Sequence, residues 1–293
     1  MNQMRIALLG PNGQLGQDIC TAAARAEQSV TIVPLDRTRI DLSQPDEMLA
    51  RLRDIPFDVL VNTTGYHKTD EVETQAQQAF LVNAHSPRKL AEFCGERCAR
   101  FVHFSTDYVF GGQEKREKLT ESDGKAPLNV YGASKGMGED LVLNSGADVL
   151  VLRVASLFGT AGSSGKGGNF VETMIRLARE KGALNVVDDQ IMSPTSTADV
   201  AKALLGLLAV DAPSGVYHVV NEGAVSWCTF AARIIRQMKI NASVSPVPTT
   251  AMPTTAKRPP YSALHTGKIE KLLPPMRSWA AALDEYLAAK HGV

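Results

Sequence analysis

The sequence predicts an α/β fold in which a parallel sheet is covered by helices on both faces. Short continuous apolar runs at 5–9, 30–35, 59–62, 101–105 and 149–154 have strand length and little polar alternation, the pattern of strands buried on both sides. Longer amphipathic segments at 14–26, 45–53, 76–98 and 131–144 lie between them, giving the strand-helix alternation of a parallel sheet. Composition agrees: 293 residues, 44% hydrophobic and 21% charged, supply a sizeable core and are too apolar for general disorder. This length fits one large domain or two unequal ones.

Charge narrows the function classes. Lys and Arg total 31 against 31 Asp and Glu, so the chain lacks the cationic excess usual in nucleic-acid binders and polybasic membrane-surface proteins. No run approaches the ~18 apolar residues of a membrane helix, and residues 1–5 lead into the first strand without a signal-peptide pattern. Cys94 and Cys98 stand one helical turn apart, but a zinc site would need further ligands that the neighbouring sequence lacks. The four cysteines read as free thiols in a reducing compartment. The expectation is a cytoplasmic protein without a metal, with neither nucleic acid nor membrane as partner.

The first strand runs into Gly10-Pro-Asn12-Gly13-Gln14-Leu15-Gly16, which opens the first helix. Glycines in that context let a backbone approach a pyrophosphate, while the helix start offers free N–H groups and the positive end of its dipole. The second strand ends at Asp36, twenty residues after Gly16, where a carboxylate can accept hydrogen bonds from the ribose of NAD. Arg37 follows and would suit the 2′-phosphate of NADP, so NADH and NADPH both stay open. Asp41 and Leu42 come next, at a spacing suited to the adenine edge.

The strand at 101–105 ends in Ser105-Thr106-Asp107-Tyr108-Val109-Phe110. This delivers hydroxyls to the carboxyl edge of the sheet, where ligands bind in open α/β folds. The following helix carries Tyr131-x-x-x-Lys135, and i, i+4 positions share one face. A cation beside a phenol, whose free pKa is about 10, favours the phenolate and makes proton exchange feasible near neutral pH. Thr106 is the candidate donor to a substrate carbonyl.

After residue 155 the rhythm loosens. The glycine-rich run 159–168 reads as a mobile loop and the proline-rich segment 245–260 as extended and irregular. Helical patterns return at 170–181, 196–208, 226–238 and 277–289, describing a smaller lobe on the first. His67, beside Tyr66, reads as a substrate contact or a solvated loop imidazole. His103 and His218, inside apolar strands, read as satisfied core histidines. Trp227, after the N-cap candidate Ser226, reads as core first and as a contact of the smaller lobe's site second, and Trp279 reads as core.

Together the glycine turn, S-T-D-Y-V-F at 105–110 and P-L-N-V-Y-G-x-S-K at 127–135 resemble the extended short-chain dehydrogenase/reductases, and among them the dTDP-4-dehydrorhamnose reductase family. Further matching segments are L-V-N-A at 81–84, G-G-N-F-V-E-T-M-I-R-L-A at 167–178, D-D-Q-I-M-S-P-T at 188–195, G-V-Y-H at 215–218 and V-P-T-T-A-M-P-T-T-A-K-R-P at 247–259.

The resemblance implies a Rossmann-type doubly wound parallel sheet over 1–155, with a smaller C-terminal α/β substrate-binding lobe over 156–293, some of whose segments return to the first domain. It implies NAD(P)H-dependent reduction of the C4 ketone of a 4-keto-6-deoxy sugar nucleotide, in deoxysugar and cell-surface polysaccharide biosynthesis. Thr106, Tyr131 and Lys135 would be catalytic. Gly10, Asn12, Gly13, Gln14, Leu15 and Gly16 would follow the pyrophosphate, with Asn62, Thr64, Tyr66 and Asn83 on the ribose side. Asp107, Ser156, Asn169, Phe170, Gln190 and Arg258 would hold the sugar nucleotide.

Three positions depart from the family pattern: Ser156 stands where many relatives carry Trp, Met192 for Gly and Tyr261 for Asn. All lie where the family handles the sugar. A nucleotide-sugar epimerase or dehydratase, or a non-catalytic regulatory subunit, would share the same scaffold. Pairing into a homodimer is left open by the sequence.

Overall fold

The computed structural model describes residues 3–26, 29–161 and 168–293. Of the glycine-rich run read as a mobile loop, residues 162–167 lie outside the described residues.

The first half alternates as expected: β1 (Met4–Leu9), α1 (Gln14–Arg25), β2 (Val30–Leu35), α2 (Pro45–Leu52) and β3 (Val59–Asn62). Then come α3 (Thr69–Val72), α4 (Ala76–Phe80), a π turn (Leu81–His85), α5 (Ser86–Glu96), β4 (Arg100–Thr106), α6 (Val130–Leu143) and β5 (Val149–Val154). The single helix expected over 76–98 is therefore broken. Pro87 has no N–H to return to the Asn83 carbonyl, and the widened turn sets Asn83 facing the site.

In the second half, β6 (Leu157–Phe158) precedes α7 (Phe170–Lys181), β7 (Ala183–Val187), β8 (Ile191–Met192), β9 (Thr195–Ser196) and α8 (Thr197–Ala209). They are followed by β10 (Gly215–His218), β11 (Val225–Ser226), α9 (Trp227–Gln237), β12 (Ser243–Val247) and α10 (Trp279–His291).

Six strands form one wholly parallel sheet in the order β2-β1-β3-β4-β5-β10. It is a Rossmann-type doubly wound α/β sheet. Alternation along each strand sorts the core: Ile6, Leu8, Val61, Val102 and Leu152 face α1 and α8, while Ala7, Leu9, Leu60, Phe101 and Val151 face α2 and α5. Each large aliphatic side chain withdrawn from water contributes about 1.5–3 kcal/mol.

The C-terminal segments divide. α8 packs on α1 and β10 closes the main sheet against β5. In contrast, α7, α9, α10 and the short strands build a separate core around Phe158, Ile175, Phe230, Ile234 and Leu283. The expected irregularity of 245–260 is corrected at its start, because β12 pairs in parallel with β7 through Pro246 and Val247. Proline is tolerated there because this two-stranded sheet leaves β12 an edge strand. Among the described residues no helix is long and apolar enough to cross a membrane.

Candidate active site

The order of the sheet reverses between β1 and β3, and open α/β sheets bind ligands outside the carboxyl ends of the strands at such a switch point. There the glycine turn starts α1. Gly13 is its N-cap, with no side chain to bond the first-turn N–H groups and no acidic residue nearby in that turn. Gly16 lies so close to the turn that a Cβ would overlap the Gly10 carbonyl and come within 2.8 Å of Pro11 Cα. The turn is pinned to β3, since Thr63 Oγ1 donates to the Leu9 carbonyl at 2.7 Å.

A second wall comes from β4 and α6. Asn129 caps α6 by accepting from the Gly132 N–H at 2.8 Å. A Cβ at Gly132 would overlap the Tyr108 carbonyl, so glycine lets the first turn of α6 press on the 3-10 turn Asp107–Val109 and brings Tyr131 to Thr106. Asn83 locks the arrangement. Its Oδ1 accepts from the Tyr66 N–H at 2.8 Å, and its Nδ2 donates to the Tyr66 carbonyl and to Ser134 Oγ, both at 3.0 Å.

The electrostatics correct one expectation. Burial pushes the Tyr131 phenol well above its ordinary value, opposed by a hydrogen bond with Thr106. Lys135 does not relieve it: Nζ donates to the Phe104 carbonyl at 2.6 Å and meets His103 Nε2 at 3.0 Å. Burial lowers the Lys135 ammonium to about 8. Asp107, whose Oδ2 accepts from Ser262 Oγ at 2.6 Å, is raised by burial to about 6.

One cavity of about 520 Å³ gathers most of the expected residues: Gly13, Gln14, Leu15, Gly16, Thr64, Thr106, Asp107, Tyr131, Lys135, Ser156, Asn169 and Phe170 line it. It suits a dinucleotide. The uncapped first turn of α1 offers N–H donors to a pyrophosphate, and the buried Gln14 Oε1 has no hydrogen-bond partner among the described residues. An adjoining cavity of about 730 Å³ shares Thr69, Tyr108, Phe170 and Trp227 with the first and contains Gln190 and Arg258. Its walls combine Met174, Leu177, Leu184 and Trp227 with the ion pairs Lys68–Glu71 and Arg258–Asp70.

Other expected residues stand apart from both cavities. Asn12 is exposed. Asp36 folds back on its own turn, with Oδ1 accepting from Thr38 N–H and Oγ1 and from Arg39 N–H, and Arg37 pairs at the surface with Asp41 at 3.0 Å. The Leu42 side chain is a correction: it is buried in the core beneath α2 and α5, because its position on the turn points inward. Gly10 shapes the turn, Asn62 and Asn83 act from behind, and the Tyr66 hydroxyl donates to Glu71 at 2.6 Å.

Asn169 lines the first cavity with its hydrogen bonds already used. Its Oδ1 caps α7 through Glu172 N–H at 3.1 Å, and its Nδ2 reaches the Gly159 carbonyl and the Tyr286 hydroxyl at 3.1 and 3.2 Å. The residues missed were aromatic. Trp227, for which core is the first reading and a site contact the second, and Phe230 line the cavity; an apolar helical stripe alone does not reveal which of its members border a cleft.

The family model of the RmlD substrate binding domain matches residues 4–291. The chain belongs to this family. It is 36% identical to a dTDP-4-dehydrorhamnose reductase of Mycobacterium tuberculosis, over 97% of this chain and 93% of that protein. It is 35% identical to a probable dTDP-4,6-dihydroxy-2-methyloxan-3-one 4-ketoreductase of Streptomyces antibioticus, over 98% and 97%. The dTDP-4-dehydrorhamnose reductase of Bacillus anthracis, solved in complex with NADP, superposes with a TM-score of 0.91 at 31% identity, covering 98% of this chain and 100% of that one. Membership in the RmlD family thus joins the fold and the two adjoining cavities in one scaffold.

Proposed function

We propose that this protein is an NAD(P)H-dependent oxidoreductase that reduces the C4 ketone of a 4-keto-6-deoxy sugar nucleotide, with dTDP-4-dehydro-L-rhamnose as the first candidate. The observation that carries this reading is the meeting of two cavities at Thr69, Tyr108, Phe170 and Trp227, one headed by the open start of α1 and lined by Thr106 and Tyr131, the other holding Arg258 and Gln190. Residues 1–155 would hold the cofactor and 156–293 most of the sugar nucleotide, with α8 and β10 serving the main sheet. The compartment we infer is the cytoplasm.

Gly13, Gln14, Leu15 and Gly16 would carry the pyrophosphate of a nicotinamide dinucleotide, which supplies the hydride when bound. The Tyr131 hydroxyl donates its proton to the ketone oxygen, and its raised pKa keeps that proton in place at neutral pH until charge develops. Thr106 Oγ1 orients the same oxygen and stabilises the phenolate left behind, while Lys135, whose Nζ bonds the Phe104 carbonyl, would have to turn toward the tyrosine to add its cation. Arg258 and Lys68 would neutralise the diphosphate of the substrate in the second cavity, against the apolar wall formed by Met174, Leu177 and Trp227.

Tyr131→Phe tests the acid assignment. It should lower kcat by about 10²–10⁴-fold with cofactor affinity retained; unchanged turnover would remove Tyr131 from the mechanism.

A further inference from the structure

Asn129 is buried at the N-cap of α6, a position where a simple hydroxyl is enough to open a helix. Ser226 and Ser278 do that work for α9 and α10. Asn129 does more. Its Oδ1 accepts from the Gly132 N–H at 2.8 Å while its Nδ2 donates to the Lys257 carbonyl, also at 2.8 Å. Both partners are main-chain groups whose donor and acceptor roles cannot be exchanged, so the amide has one orientation. An aspartate in its place could accept from Gly132 but has no proton to donate at neutral pH. A serine could also cap, but its hydroxyl ends one bond short of where Nδ2 stands.

Lys257 leads directly to Arg258 in the wall of the second cavity. The segment 256–258 is held from its other side by Asp70 of α3, whose Oδ1 accepts from the Ala256 N–H at 2.9 Å and whose Oδ2 pairs with the Arg258 guanidinium. A guanidinium has five N–H donors, so this pair does not exhaust it. Beyond Asn129, Tyr131 is the second residue of α6. The N–H groups around it are taken: that of Val130 by Glu73 Oε1 at 2.8 Å and that of Ala133 by the Asn129 carbonyl at 3.0 Å. The Asn129 side chain is thus a direct bond between the helix that carries Tyr131 and the segment that carries Arg258.

We propose that Asn129 is a positioning residue that sets the proton donor and the substrate's diphosphate at a fixed spacing. One end of its amide starts the helix that presents Tyr131, and the other fixes the peptide from which Arg258 leaves the chain. Asparagine is required because an acceptor and a donor must sit on one rigid planar group. With the Lys257 carbonyl held, Arg258 meets the diphosphate with its main chain already placed, and less order has to be imposed on binding. The bond works in both directions, since two linked equilibria affect each other equally: a ligand that holds Arg258 also holds the start of α6.

The inference rests on the proposed function for the ligand of the second cavity, but it is tested by binding and needs no turnover. Asn129→Ser keeps an acceptor for Gly132 and removes the donor to Lys257, whereas Asn129→Ala removes both. In urea unfolding the serine variant should keep most of the stability that the alanine variant loses. In calorimetric titration with dTDP as the diphosphate probe, both variants should bind about three- to tenfold more weakly than the unaltered protein, the size of one hydrogen bond. A merely structural asparagine predicts a different pattern, in which dTDP affinity returns together with stability in the serine variant.

A double-substitution cycle with Arg258→Ala shows whether Asn129 acts through that side chain. On the Arg258→Ala background, Asn129→Ser should change dTDP affinity by less than about twofold, because the group it positions is already gone. An equal loss on both backgrounds, or unchanged dTDP affinity in Asn129→Ser alone, would overturn the proposal. Failure of the unaltered protein to bind dTDP would count against the proposed function and overturn this inference with it. Binding of dTDP with the predicted pattern, but no reduction of any ketone, would count against the reductase reading alone and support the role of Asn129.

Discussion

Asp107 offers a quantitative test of how the site is built. It is 3% exposed, and its carboxylate accepts from two hydroxyls, Ser262 Oγ at 2.6 Å and Thr106 Oγ1 at 3.1 Å. Burial raises its carboxyl from the ordinary 3.8 to about 6, which corresponds to roughly 3 kcal/mol at neutral pH. For an acid raised in the folded state, the unfolded chain releases its proton first as pH rises. Stability from this group is therefore full below the unfolded value of 3.8 and is lost as pH climbs through about 6.

D107N removes the ionisation but keeps a carbonyl for Ser262 and an amide donor for Thr106. In urea unfolding monitored by tryptophan fluorescence, this variant should be more stable than the parent by about 2–3 kcal/mol at pH 7.5. That advantage should shrink by about 1–2 kcal/mol at pH 5. A constant difference between the two pH values, or a variant less stable at pH 7.5, would refute the reasoning. Turnover should nonetheless fall, because Asp107 lines the cavity beside Thr106 and Tyr131.

Gly132→Ala would drive a Cβ into the Tyr108 carbonyl, so it should cost about 1–3 kcal/mol of stability and lower kcat by displacing Tyr131; both are read from unfolding curves and steady-state rates. Asn83→Ala deletes three hydrogen bonds that join the Tyr66 loop to α6 and should destabilise by about 2–3 kcal/mol, with weaker cofactor binding in a fluorescence titration. Arg258→Ala should raise KM for the sugar nucleotide about tenfold or more with the cofactor Kd unchanged, since Arg258 lines the second cavity and not the first.

Much of the first half was legible because its chemistry is local. Strands buried on both faces read as unbroken apolar runs, such as residues 6–9 and 149–152, and the glycine turn and Tyr131-x-x-x-Lys135 carry their geometry in their spacing. The second half was harder to read. Two-residue strands such as β8 and β11 have no period, and the return of β10 to the main sheet is a long-range pairing that local pattern does not encode. Pro87 stood in plain view, but its consequence, a π turn presenting Asn83, depends on how α6 packs against it.

Spacing likewise placed Asp36 and Leu42 near a cofactor without revealing that one bonds its own turn and the other points into the core. His103 was recognisable as buried. Its contact with Lys135 follows from strand register and helix packing together, which a single sequence does not display.

The most direct test of the central claim is cofactor stoichiometry. The purified protein would be mixed with dTDP-4-dehydro-L-rhamnose and a panel of related 4-keto-6-deoxy sugar nucleotides, with NADH and NADPH in parallel, following absorbance of the reduced nicotinamide and the sugar product together. The account predicts one reduced cofactor consumed for each ketone reduced with at least one member of the panel. Conversion of a sugar nucleotide without net cofactor oxidation, or no reaction with any of them, would contradict it.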